Sequence, residues 1–327
     1  MGRWGTAWRW LQTLGGVAVL AALLWTLGTG PFLDGIRAVD GRTLAVAAAI
    51  IFMTTLCSAW RWRLVSGGLG QEIPFRAAVA SYYRSQFLNS VLPGGVLGDV
   101  HRGVVQGRTA GGVGRGLRAV VWERAAGQVL QLALAVAVLA LLPSPIHRVG
   151  GVLAVILIVV GAAALVLVQL RSVAGSQWWV RVLRVSAADI RRGLLNRRTA
   201  PGVFLASTGA VAGYTAVFLI AARASGVEAT VLELLPLAVF VLLAMSIPAN
   251  IAGWGPREGA AAWAFSAAGL GAAQGVSAAV VYGVLSFAAC LPGAAVLVVD
   301  RARRRGATAV VTAPAPAQRG SEGGTHG

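Results

Sequence analysis

Six charged residues stand where charge is costly. Asp99, Arg102, Glu123, Arg124, Arg257 and Glu258 lie inside or against long apolar stretches, and at membrane depth such a charge costs about 2.5–3.5 kcal/mol on insertion scales. Charges persist there when they pair or line a polar path, so these six are the candidates for chemistry. Asp99 and Arg102 are three apart and share one helix face. Glu123-Arg124 and Arg257-Glu258 are adjacent and do not face each other along one helix. The expectation is therefore pairing across helices, for example Glu123 with Arg257 or Asp99 with Arg124. Two roles fit. One is structural, as buried ion pairs that lock the chain. The other is binding: an arginine presents a planar fork to a phosphate, and Asp99 and Glu258 would face a cationic part of the same ligand.

Two interruptions would position these charges. The first, residues 90–102, holds Pro93, Gly94, Gly95 and Gly98; the second, residues 246–258, holds Pro248, Gly253 and Gly255. Each has a Pro, a Gly five residues on, and charges of both signs just beyond. Pro removes a backbone donor and Gly relaxes the chain, so each stretch breaks a helix. Broken helices survive at membrane depth only inside protein or along a wet cavity, and a matched pair, one per half, points to a transporter's binding site. The helices that begin after the breaks would aim free N–H groups at one region, which favours an anion. Asn89 and Asn250 beside the breaks either cap freed backbone groups or touch a ligand. Tyr82, Tyr83 and Trp254 read as interfacial or packing aromatics.

Composition sets the class. The 327 residues are 57% hydrophobic and 12% charged, where soluble domains carry about 25% charged residues. The fold class is all-α, a polytopic membrane protein; strand-like alternation is absent, which argues against an outer-membrane barrel. All 28 basic residues are Arg and the net charge is +17. They cluster in loops and at helix ends, as the positive-inside rule requires, so no nucleic-acid partner is expected. Cys57 and Cys290 sit in apolar stretches, and His101, His147 and His326 are scattered without zinc spacing. Neither a metal nor a cofactor is expected.

Reading in order, residues 1–10 form an interfacial anchor and 11–27 the first span. Residues 28–43 read as a short loop and 44–60 as the second span, with Arg61 and Arg63 marking the cytoplasmic side. Residues 74–106 read as a hairpin dipping into the membrane, with a helix lying flat on the surface as the alternative. Spans follow at 120–142, 151–170 and 201–222, with a basic loop over 171–200 whose 177–195 portion suits an amphipathic surface helix. Reading 231–268 as a second hairpin, entering from outside, leaves 276–299 to run inward and keeps the basic tail after Asp300 cytoplasmic. The result is about six full transmembrane helices plus two re-entrant hairpins in an inverted repeat, or seven to eight by a looser count. Residues 1–305 make one integral membrane domain and 306–327 a disordered cytoplasmic tail. The expected location is the cell membrane, multi-pass, with both termini cytoplasmic.

The run Phe87-Leu88-Asn89 through Leu92-Pro93-Gly94-Gly95 to Gly98-Asp99 and Arg102, then Glu123-Arg124, then Ile247-Pro248 through Gly253, Gly255 and Arg257-Glu258-Gly259-Ala260 resembles the lysylphosphatidylglycerol synthase transmembrane family, over residues 10–300. The resemblance implies a flippase-like domain that moves or holds a lipid, which in fused members is an aminoacylated phosphatidylglycerol. It points at Pro93, Gly98, Asp99, Arg102, Glu123, Arg124, Pro248, Gly253, Gly255, Arg257 and Glu258. No aminoacyltransferase domain is expected after residue 300, so the chain is not expected to make the lipid. One position departs from the pattern: where an Arg matching Arg124 is expected in the last span, the chain reads Val281-Tyr282-Gly283.

The function these features imply is movement of a phospholipid or polyprenyl-linked lipid between leaflets, through a midplane headgroup site formed by the two broken helices. The partners are membrane lipids: anionic, aminoacylated or polyprenyl-linked. One rival is a non-transporting partner of a separately encoded lipid-modifying enzyme, docked through the basic loop. The other is a glycosyltransferase using Asp34 or Asp40, for which the outer loops are short. The chain carries no phosphate-binding Gly-Lys-Ser/Thr loop and no Lys, so nothing in it points to a primary pump.

Overall fold

The computed structural model describes residues 17–92, 95–169, 178–246 and 254–301. Every element among them is a helix. The anchor at 1–10, the start of the first span and the tail at 306–327 lie outside the described residues, as do Pro93, Gly94, Pro248, Asn250 and Gly253.

Helix α1 (Val17–Leu27) bends by 98° into α2 (Gly30–Arg37). The stretch read as a loop from 28 to 43 is thus partly helical. Gly28 takes φ +72° at the bend, Pro31 starts α2, and Gly35 lets α2 lie against Ser277 and Val280. Asp40 caps α3 (Gly41–Gly68), accepting from the Thr43 amide at 2.7 Å. Helix α3 does not stop at Trp60. It runs on to the Gly67-Gly68 pair, so Arg61 is not a loop marker but a buried helical residue.

The first break separates α4 (Phe75–Val91) from α5 (Leu97–Thr109). Helix α4 buries Ala78, Tyr82, Tyr83, Arg84 and Ser85 against neighbouring helices and does not lie flat on the outside. Helix α6 (Val113–Leu141) follows a Gly111-Gly112 turn, and α7 (His147–Gln169) follows Pro143 and Pro145. Val152, Val155, Ile158 and Val159 on α7 are at least 60% exposed, an apolar face of the kind that meets a membrane or a partner protein. Helix α8 (Trp178–Asp189) continues into a π turn, Ile190–Leu194.

Helix α9 (Ala200–Ala224) runs along α3, and its Gly202, Gly209 and Gly213 meet Leu64, Cys57 and Thr54. Small residues at such spacing let two membrane helices approach closely. A Thr230–Glu233 capping box starts α10 (Val231–Ala244). The second break leads to α11 (Pro256–Ala267), and α12 (Ala272–Arg301) ends the described chain. Among the described residues four helices, α3, α6, α9 and α12, are long and apolar enough to cross a membrane, and a fifth crossing arises if the bent α1–α2 pair is one span; shorter apolar helices are His147–Ala163 and Val231–Ala244.

The core gathers Phe218, Leu237, Phe265, Tyr282 and Leu285 from the second half with Ala47, Ile51 and Leu139 from the first. The two halves repeat one order: a long helix (α3, α9), a broken pair (α4–α5, α10–α11) and a second long helix (α6, α12). In each half the second member of the broken pair packs on the helix that follows it.

Candidate functional site

The first break is shaped by glycine and closed by Asn89. Gly95 takes φ +62°, a conformation glycine adopts without strain. At Gly98 a β-carbon would collide with Ser85 O, so α4 and α5 cross backbone against side-chain-free backbone. Asn89 Oδ1 accepts from the Gly98 amide at 2.8 Å, so this asparagine does cap a freed backbone group. Its Nδ2 donates to Asp99 Oδ2 at 2.7 Å.

From Asp99 a chain of alternating charge links α5, α6 and α3. Arg124 Nη2 donates to Asp99 Oδ2. Arg102 Nε reaches Asp99 Oδ1 at 2.9 Å and its Nη2 reaches Glu123 Oε2 at 2.6 Å. Arg61 donates Nε to Glu123 Oε1 at 2.8 Å, places Nη2 on the same oxygen, and sends Nη1 to Ser207 Oγ at 3.2 Å. The order is Arg61, Glu123, Arg102, Asp99, Arg124. Four of the five are buried, while the Arg124 side chain is 43% exposed. Arg102 also lies over the rings of Trp62 and Tyr82, with Cζ 4.8 and 4.5 Å from their centres. Its Nη1 is buried without a hydrogen-bond partner among the described residues, and the two π faces take that role. Tyr82 packs in a buried cluster with Ala59, Trp62 and Val120, in line with its reading as a packing aromatic, and is a cation partner as well.

The second break repeats the theme with fewer charges. Gly255 takes φ +118°, and its amide donates to Glu258 Oε2 at 2.7 Å. Arg257 donates Nε and Nη2 to Glu258 Oε1 at 2.8 and 2.5 Å. Adjacent residues do pair here, contrary to the expectation from helix geometry. The carboxylate folds back to cap the helix start, and the long Arg side chain reaches round to it. Arg257 Cζ sits 4.9 Å from the Trp254 ring and 5.6 Å from that of Tyr282, so Trp254 too is a cation partner. Glu123 pairs with Arg61 and Arg102, not with Arg257; the pairing of Asp99 with Arg124 is present.

Both breaks border one cavity of about 350 Å³. Gly95 and Val96 come from the first, Trp254 and Arg257 from the second. Arg124 joins them from α6. Polar residues from both halves fill in the wall, and some bridge the halves: Gln86 Nε2 donates to Tyr214 Oη at 3.3 Å, and Ser246 Oγ to Gln128 Oε1 at 2.7 Å. The six candidate charges therefore divide. Arg124 and Arg257 line the cavity, while Asp99, Arg102, Glu123 and Glu258 stand behind it as counter-ions and props.

Several contributors were not foreseen. Arg61 carried a signal, since no helix stop occurs before Gly67. Gly127 and Gly283 make room for the guanidiniums of Arg61 and Arg257, which gives the charge-free Val281-Tyr282-Gly283 stretch a reason: Gly283 is vacant because Arg257 occupies the space. Gln86, Gln128, Gln131 and Tyr214 carried no local signal. Asp40 is occupied as a helix cap, and no group of three or more metal-ligating side chains occurs among the described residues.

Residues 13–293 match the family described as Lysylphosphatidylglycerol synthase TM region. No curated protein and no solved structure matches the chain.

Proposed function

The chain belongs to the lysylphosphatidylglycerol synthase TM family, and from that premise we propose that it translocates a lipid between membrane leaflets, without catalysing a reaction on it. The observation that carries this reading is the cavity bordered by both helix breaks and lined by Arg124 and Arg257. At about 350 Å³ it is at the lower end of small-ligand sites, of a size for a headgroup and not for acyl chains. The chains would stay in the bilayer while the headgroup crosses. The two arginines, backed by buried carboxylates, would replace the water around a lipid phosphate.

In this reading the two halves are inverted in the membrane and rock about the contact of α3 with α9, opening the cavity to one leaflet and then the other. The protein acts in the cell membrane with both termini cytoplasmic. Its partners are lipids with phosphate-bearing headgroups, phospholipid or polyprenyl-linked.

Accessibility of the cavity tests this. Single cysteines replace Val96 or Trp254 in a background lacking Cys57 and Cys290, and an impermeant thiol reagent is applied to right-side-out and inside-out vesicles. Translocation predicts that both positions react from both sides and that added lipid protects them together. Reaction from one side only, at both positions, contradicts it and favours a non-transporting role.

A further inference from the structure

We propose that the cavity selects a lipid whose phosphate headgroup carries free hydroxyls, and that it discriminates against the aminoacylated form of the same lipid. The inference rests on the reading of the cavity as a headgroup site and names what that site takes.

The chain from Arg61 to Arg124 holds three cations and two anions, so one positive charge is left over. Its free end is Arg124, the one exposed member and the one that lines the cavity. Arg257 also lines the cavity, whereas its counter-ion Glu258 is fully buried. The wall that a ligand meets is cationic although the protein behind it is nearly neutral.

An aminoacyl headgroup brings an ammonium that needs an acceptor. Asp99 already accepts from Ser85, Asn89, Arg102 and Arg124. Glu123 accepts from Arg61, Arg102 and Tyr82. Glu258 accepts from Arg257 and the Gly255 amide. A carboxylate has about four acceptor positions, and these are taken up or sealed behind the arginines. The segments 93–94 and 247–253 contain no Asp or Glu. An ammonium would have to displace a buried arginine and would lie beside Arg124 and Arg257 besides.

Gln86, Gln128, Gln131, Tyr214 and Ser286 present neutral amides and hydroxyls. Such groups both donate and accept, which suits a glycerol, inositol or sugar hydroxyl.

The test is native mass spectrometry of the purified full-length protein with an equimolar mixture of phosphatidylglycerol, phosphatidylinositol and lysyl-phosphatidylglycerol. Phosphatidylglycerol and phosphatidylinositol should be retained about tenfold over the lysyl form, as one ammonium left unpaired beside the two arginines predicts. Arg124→Gln should erase most of that preference, and Gln131→Glu, which adds a carboxylate without touching the ion-pair chain, should raise retention of the lysyl lipid. Equal or greater retention of the lysyl lipid by the wild type, or a preference untouched in both variants, overturns the proposal. Glycerol 3-phosphate is a separate arm: if it displaces the lipids at equal concentration, the phosphate-and-hydroxyl chemistry stands while the lipid reading of the cavity fails. Preference without vesicle transport has the same division, upholding the selectivity and removing the translocation.

Discussion

The guanidinium of Arg257 occupies the space that Gly283 leaves by having no side chain. A β-carbon there would collide with Arg257 Nη2, and Arg257 is held too firmly by Glu258, Trp254 and Tyr282 to yield freely. Gly283→Ala should therefore cost about 1–3 kcal/mol, as overpacking does, and should push Arg257 out of register with the cavity. The expected outcome is a folded protein with a lowered melting temperature and impaired lipid movement. Unchanged melting and transport would mean that Arg257 has a second, equivalent seat.

Glu123 joins Arg61 and Arg102; among the described residues Arg61 pairs with no other carboxylate, and Arg102 pairs with Asp99 besides. Removing one partner of a buried ion pair leaves an uncompensated charge and costs about 3–5 kcal/mol. Glu123→Ala should lower the melting temperature more than any single cavity-wall change. In a double-mutant cycle, adding Arg61→Ala to Glu123→Ala should cost less than Arg61→Ala alone. Strict additivity would show that the two do not act as a unit.

Arg84 reaches from α4 to Asp300 near the end of α12 at 2.5 Å. Asp300 keeps 38% of its side chain exposed, so solvent screens the pair. Asp300→Asn should shift stability by less than about 1 kcal/mol. Thermal unfolding in detergent checks it, and a loss on the scale of Glu123→Ala would show the pair to be sealed.

Asp40 lies ahead of α3, where hydrogen bonding from Thr43, through its side chain and then its amide, holds the carboxyl below its ordinary value. A depressed folded-state value means that the cap stabilises above the ordinary carboxylate range and that this contribution fades as pH falls through the folded value. Wild type and Asp40→Ala should thus differ in melting temperature at neutral pH and converge in acid. A gap that widens in acid would contradict the sign.

The sequence made the helical membrane class, the two broken pairs and the candidate charges legible because each has a local cause. Apolar length marks a span, Pro with Gly marks a break, and a charge in an apolar run stands out. Which charges face the ligand was not legible. Asp99 and Arg124 both look exposed to a site in one dimension, and only the crossing of α4 and α5 at Gly98 puts the first behind the second. Arg61 reads as a boundary residue because its neighbours Arg63 and Trp60 mimic a membrane edge, while the helix ends at Gly67-Gly68. The amide wall, Gln86 with Gln128 and Gln131, was invisible because a glutamine in a helix has no meaning until its facing helix is known.

In the proposed cycle Arg124 and Arg257 together carry a headgroup across. This is tested most directly by transport of fluorescent phosphatidylglycerol in liposomes containing the wild type, Arg124→Gln, Arg257→Gln or Glu258→Gln, each matched for amount and melting temperature. Movement above empty liposomes is expected for the wild type, with a fall of about tenfold or more in Arg124→Gln and its loss in Arg257→Gln and Glu258→Gln. Well-folded variants that move the lipid as fast as the wild type would contradict it.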